Sequence, residues 1–224
     1  MPASKSDPFA PLIPDARAFL AELTENNTRD WFNAHKSRYE AQLRTPALRL
    51  VDEVAQAISR RTGAKVTGKL FRPQRDIRFS KDKTPYKTHL HMLWSIEDAD
   101  ADTSCALFFG IDPARCTTGG GIMGFSPTQI TRWRAAVDGA TGDEAAALVD
   151  ILALKGFATR PAELKRTPAP YGKAHPHGDL LRRKSLTFWH DLSRAEQAAP
   201  MAAVMSTQLT LAPAFALLGD ALRG

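Results

Sequence analysis

The chain is short of the residues and motifs that most often announce a function. Only two of its 224 residues are cysteine, so a disulfide framework is excluded, and a thiolate metal centre would need His or carboxylate ligands to complete it. Neither HExxH nor CxxC nor a tight carboxylate cluster occurs, which leaves no motif for metal-dependent catalysis and no metal ligand to name. The Gly119, Gly120, Gly121 run is neither GxGxxG nor a P-loop with its Lys and Ser/Thr. No apolar run reaches the roughly 20 residues of a membrane span, and the opening MPASKSDP lacks the core of a signal peptide. No RRM, helix-turn-helix or zinc-finger pattern is present, and no internal repeat. The expectation is a soluble cytoplasmic protein, without membrane partners, whose Cys105 and Cys116 are buried, reduced and not bonded to each other.

What the chain does have is concentrated positive charge. The net charge of +6 hides two basic stretches: residues 69–91 and residues 159–184 each hold seven Lys or Arg against two acids, a net of +5 apiece, while the remainder sums to −4. Two focused patches in an otherwise acidic chain point to a local positive field rather than to a solubility device. Hydrophobic residues make up 43%, enough to bury a core.

Helical periodicity predicts a helix over residues 15–26, with Phe19, Leu20 and Leu23 on one face, and a second over residues 28–43, whose Trp31, Phe32, His35, Tyr39 and Leu43 share another. His35 reads as a packed, hydrogen-bonded residue. Thr45 and Pro46 predict the cap and first turn of a third helix, closed near Gly63. Strands are predicted over Leu70–Phe79, broken by Pro73, and over Thr88–Ser95, joined by the polar loop SKDKTPYK. The acidic run at residues 97–103 lacks the glycine and closing Glu of a calcium loop and reads as an exposed turn. Residues 104–111 and 116–124 predict a hairpin about a DPAR turn. Ser126 and Pro127 begin a helix, another covers residues 143–154, and prolines keep residues 156–178 irregular. A last strand over residues 185–190 precedes helices opened by a Ser193–Glu196 capping box and interrupted at Pro200 and Pro213. Strands that follow one another directly, flanked by helices, predict an α+β fold: a mainly antiparallel sheet covered by N-terminal and C-terminal helices, in one domain over residues 9–222 with a flexible 1–8.

The stretch RDIRFSKDKTPYKTH at residues 75–89, with ENNTRDWFNAHKSRYE at 25–40, GGGIMGFSP at 119–127 and LKRTPAPYGKAHP at 164–176, resembles the bacterial and fungal family known as domain of unknown function 2461, over roughly residues 9–222. The resemblance implies an α+β fold and no established activity, cofactor or catalytic residue.

The site expected from the residues themselves is an anion site of Arg72, Arg75, Arg78, Ser80, Lys81, Lys83, Lys87 and His89, bordered by Gly119, Gly120 and Gly121. Against it stands an ion-pair network in which Asp76 and Asp82 each hold one cation, with the three glycines serving a bulge or close packing. Three functions fit. The first is a binding module for a phosphate-containing or other anionic ligand, nucleotide and nucleic acid included. The second is an enzyme acting on a phosphorylated or carboxylated substrate, with His89 or His91 as acid or base and Arg75 and Arg78 as charge stabilisers. The third is a structural or partner-binding domain.

Overall fold

The computed structural model describes residues 7–97 and 104–223. The fold is α+β, built on a six-stranded antiparallel sheet. Helix α1 (Leu12–Glu25), α2 (Arg29–Ala34), α3 (Lys36–Arg38), a π-helical run (Tyr39–Arg44) and α4 (Thr45–Thr62) come first. Strands β1 (Lys65–Leu70), β2 (Leu90–Glu97), β3 (Ser104–Ile111) and β4 (Cys116–Ile122) follow, then α5 (Pro127–Asp138), α6 (Thr141–Leu154), β5 (Ala158–Thr159), α7 (Gly178–Leu181), β6 (Leu186–Asp191), α8 (Arg194–Gln197) and α9 (Pro200–Leu222). The sheet order is β1-β2-β3-β4-β6-β5. Asp98–Thr103, and with them most of the acidic run expected as a turn, lie outside the described residues, as do residues 1–6.

The chain divides into two compact units. Unit 1 comprises Met1–Trp94, Phe108–Thr118 and Asp191–Ser206. Its core includes the apolar faces of α1 and α4 and the even-numbered side chains of β2: Leu90, Met92 and Trp94 are buried, and the Trp94 indole N–H donates to the Val51 carbonyl at 2.8 Å. Gly68 lets β1 lie against α4, since a Cβ there would stand 2.4 Å from Val51 Cγ1. Unit 2 comprises Ser95–Leu107, Gly119–His190 and Thr207–Gly224, with a core that includes Trp133, Leu181, Phe188, Leu211 and Leu218.

Four local expectations need correction. The second helix is divided, because α2 ends at Ala34 and the chain reaches α4 through α3 and the π-helical run. Thr45 is therefore no cap: it is already helical at φ −63°, and Arg44 before it is helical too. Pro46 lacks the N–H that would close an ordinary turn on Gln42, and the wider π turn accommodates that loss. The first strand ends at Leu70 instead of beginning there. Beyond it the pairing continues only as separate rungs, for Pro73 and Pro85 offer carbonyls but no donors: Lys87 N–H donates to Pro73 O at 2.8 Å and Arg75 N–H to Pro85 O at 2.9 Å. Lastly, α9 is one helix straight through Pro213. Val204, Thr207, Leu211, Ala214, Leu218 and Leu222 form a buried stripe at helical spacing, with Pro213 exposed beside it, so packing outweighs the missing bond. By length and composition, at a mean hydropathy of 1.5, α9 is also apolar enough to cross a membrane, a test that a core helix meets as well.

Elsewhere the local rules hold. The Ser126–Gln129 and Ser193–Glu196 capping boxes are both formed, Gly63 closes α4 in the left-handed region at φ 72°, and the Asp112–Arg115 turn joins β3 to β4 with Asp112 N–H donating to Arg115 O at 3.0 Å. Cys105 and Cys116 are buried and not bonded to each other.

Candidate functional site

The basic stretch leaves the sheet at Leu70 and rejoins it at Leu90. Residues 71–89 form an extended excursion rather than a helix, carrying one isolated antiparallel bridge between Gln74 and Tyr86. Its root is fixed from the helical side. The Asn27 side chain, in the α1–α2 connection, donates to Tyr86 O at 2.9 Å and accepts from Tyr86 N–H at 3.0 Å, so a carboxamide plays the part of a neighbouring strand. Phe32 of α2 stacks on the buried Tyr86 ring at 4.0 Å and 14°.

The cations of the excursion fall into two sets. Towards the tip Arg75, Arg78 and Lys83 are each engaged by a neighbour. Arg75 pairs with Asp82 and donates to the Thr84 hydroxyl and carbonyl. Arg78 forms a forked pair with Asp76 at 2.9 and 2.7 Å. Lys83 Nζ donates to Ile77 O at 3.0 Å. Asp82 is held down to about 2 by the Thr84 backbone N–H, Arg75 and the Thr84 hydroxyl, and Asp76 lies below its ordinary value chiefly through Arg78. For Arg75 and Arg78 the ion-pair arrangement therefore describes what the side chains do. Ser80 closes the turn, its N–H donating to Ile77 O at 3.3 Å. Lys81 is exposed and makes no ion pair or hydrogen bond among the described residues.

At the root the situation is the reverse. Lys69 and Lys87 gather at Phe71, with Lys69 Nζ 5.0 Å and Lys87 Nζ 5.8 Å from the ring centroid, and Arg72 is close enough to act on the Lys87 charge. Lys87 Nζ donates to Arg72 O at 3.1 Å. Among the described residues no carboxylate comes within ion-pair distance of these three. Burial, and then the charges of Arg72 and Lys69, push the Lys87 pKa down, the response of a partly desolvated cation with other cations beside it.

Next to Lys87 stand His89 and His91, whose rings stack at 3.9 Å. Gly110 of β3 makes room for the second ring: a Cβ there would lie 3.0 Å from His91 Cδ2. Crowded between Gly110 and His89, the His91 ring keeps a solvent-exposed edge, yet desolvation, followed by His89 and Lys87, brings it down to about 4, with Asp112 opposing. His89 is lowered by burial, then by Lys87 and Arg75, again against Asp112. Both imidazoles are thus neutral at pH 7 and offer ring N–H donors rather than charge.

Gly119, Gly120 and Gly121 belong to unit 2, whereas the excursion belongs to unit 1. The space a side chain would take at each is already filled: Cβ atoms there would stand 2.2 Å from Phe188 O, 2.7 Å from Phe215 Cζ and 2.1 Å from Leu186 O, and Gly121 has φ 134°. Close packing against β6 and α9 accounts for this run.

In the second basic stretch, in unit 2, one acid holds two of the seven cations. Arg183 is buried, forked onto Asp179 at 3.0 and 2.6 Å and bonded to Arg160 O at 2.6 Å; Arg182 shares Asp179 at 3.1 Å, and Arg160 lies over Trp189 at 4.9 Å. Among the described residues no three His, Cys, Asp or Glu side chains converge as a metal set.

The site expected from sequence did not include Lys69, Phe71, Asn27, Gly110 or Asp112, although Phe71 was legible as a stacking candidate and Asn27 as a possible helix cap. The alternation Lys69, Phe71 on an edge strand was a legible signal for the first two; the others are long-range neighbours. A search of curated proteins matches none. The family model described as conserved hypothetical protein (DUF2461) matches residues 15–212, and the chain belongs to that family.

Proposed function

We propose that the protein is a cytoplasmic binding module for a phosphate-containing or other anionic ligand, taken up at the root of the excursion by Lys69, Arg72 and Lys87 with N–H donors from His89 and His91. The observation that carries this reading is the crowding of Lys69 and Lys87 at the Phe71 ring, with Arg72 close enough to act on the Lys87 charge and no carboxylate in ion-pair reach of the three among the described residues. Like charges about 4 Å apart repel by about 1 kcal/mol in water and by more where water is excluded, and a bound anion removes that cost. Arg75, Arg78 and Lys83 shape the loop that borders the site, and two buried thiols suit a reducing compartment.

Thermal unfolding in low-salt buffer, with inorganic phosphate or pyrophosphate titrated against sodium chloride of equal ionic strength, tests the reading. A ligand at 100 times its Kd adds about 2.7 kcal/mol, or roughly 5–11 °C for a chain of this size. Arg72→Gln and Lys87→Gln should abolish the increment while folding normally. An increment equal to that of chloride in the parent protein would overturn the proposal.

A further inference from the structure

At the tip of the same excursion Phe79 is 96% exposed. Among the described residues of unit 1 it is the one large apolar side chain left in water, the other exposed ones, Met123, Ile151, Leu154 and Leu209, belonging to unit 2. It does not stand alone chemically. The Arg78 guanidinium lies 5.9 Å from its ring centroid and is held by Asp76 through two bonds, so ring and guanidinium are presented together. Lys81 and Lys83 are exposed on the following turn. Resting on the anion site proposed above, we infer that the ligand is single-stranded nucleic acid, its phosphates on the root cations and a base stacked on Phe79.

Three features favour this partner over other polyanions. An aromatic face beside a planar cation suits a nucleobase, which stacks whatever its sequence, and the combination of stacking residues with backbone-tracking cations is how single strands are held. The six steps from Pro73, one rung of the root, to Phe79 reach at most roughly 20 Å at about 3.3 Å per residue, a span that a short oligonucleotide covers with successive phosphates. A lipid surface would call for an apolar face broader than one ring, and an acidic protein offers carboxylates but no reason for the ring to stand in water.

Fluorescence anisotropy with a labelled deoxythymidine 12-mer and its RNA counterpart at low salt supplies the test, with pyrophosphate, polyglutamate and phosphatidylserine vesicles as competitors. The 12-mers should bind the parent protein. Phe79→Ala should weaken them about 5- to 150-fold at an unchanged salt slope, Phe79→Trp should restore them, and Lys87→Gln should flatten the slope by about 0.7. Equal affinity of parent and Phe79→Ala overturns the inference, as does competition by polyglutamate or vesicles that is as strong as by unlabelled 12-mer and equally sensitive to Phe79. Binding of pyrophosphate without the 12-mers refutes the nucleic-acid assignment and leaves the anion site standing; binding of neither refutes both.

Discussion

Replacing Asn27 by Ala should loosen the whole basic excursion, although Asn27 is neither charged nor part of it. Its carboxamide satisfies both backbone groups of Tyr86, a residue 59 positions away whose side chain is buried against Phe32. Each neutral hydrogen bond is worth about 0.5–1.5 kcal/mol net. The site is partly buried, so water replaces the lost partners only in part, and the sum comes to about 2 kcal/mol. For a chain of this length that is a fall in Tm of roughly 4–8 °C. Asn27→Asp is a sharper probe, since it keeps the acceptor for Tyr86 N–H but sets a carboxylate against Tyr86 O, and it should rescue little. Urea unfolding monitored by tryptophan fluorescence gives the free energy. Native-state hydrogen exchange gives the location: the Arg75 and Lys87 amides, which flank the Gln74–Tyr86 bridge, should exchange faster while the Trp94 region does not. A loss below 0.5 kcal/mol with unchanged exchange at Arg75 and Lys87 would show that the carboxamide does not anchor the root.

Gly121→Ala should cost more than 3 kcal/mol or prevent folding, because its Cβ would stand 2.1 Å from Leu186 O at φ 134°; Gly124→Ala, with nothing within 4 Å, should change stability by less than about 0.5 kcal/mol in the same circular-dichroism melts. Thiol labelling without reductant should find two reactive groups in denaturant and almost none in the native protein, where burial raises Cys116 to about 12; recovery of no thiols on denaturation would contradict the reduced state. Stability should decline as pH falls from about 6.5 towards 4, since the unfolded chain then binds protons that His91 and His89 refuse in the fold. His91→Gln should flatten that part of the Tm profile, and a parent profile level across this window would count against the crowded imidazole pair.

Sequence periodicity and capping chemistry located most elements, because those signals are local. The hairpin at residues 104–122, the Ser126–Pro127 helix start and the Ser193–Glu196 box all depend on neighbours within a few positions. What escaped was set at a distance. Pro213 looks like a helix end until the buried stripe from Val204 to Leu222 is seen to run past it, and Gly119–Gly121 look open to a ligand until Leu186, Phe188 and Phe215 fill the space above them. The basic motif was legible as charge but not as arrangement. Counting charges gives a net of +5 for residues 69–91; it does not tell that Asp76 and Asp82 both serve the tip and leave the root without an acid.

That division separates structural cations from binding ones and predicts opposite signs for their removal. Arg75 joins Asp82 to Thr84, so Arg75→Ala should disorder the tip. Lys87 is different: it is desolvated, sits beside Arg72 and Lys69, and has one hydrogen bond, to Arg72 O at 3.1 Å, an acceptor water can reach. Lys87→Met keeps the aliphatic stem against Phe71 and adds a sulfur–aromatic contact while deleting the charge. The lost bond, at about 1 kcal/mol, is offset by relief of repulsion of similar size. The variant should therefore be as stable as the parent or slightly more so in low-salt buffer free of phosphate, and less stable than the parent once phosphate is added. Urea titrations with and without phosphate read this crossing directly. A loss of about 2 kcal/mol or more in the phosphate-free buffer would make Lys87 a structural residue and remove the main support for an anion site at the root.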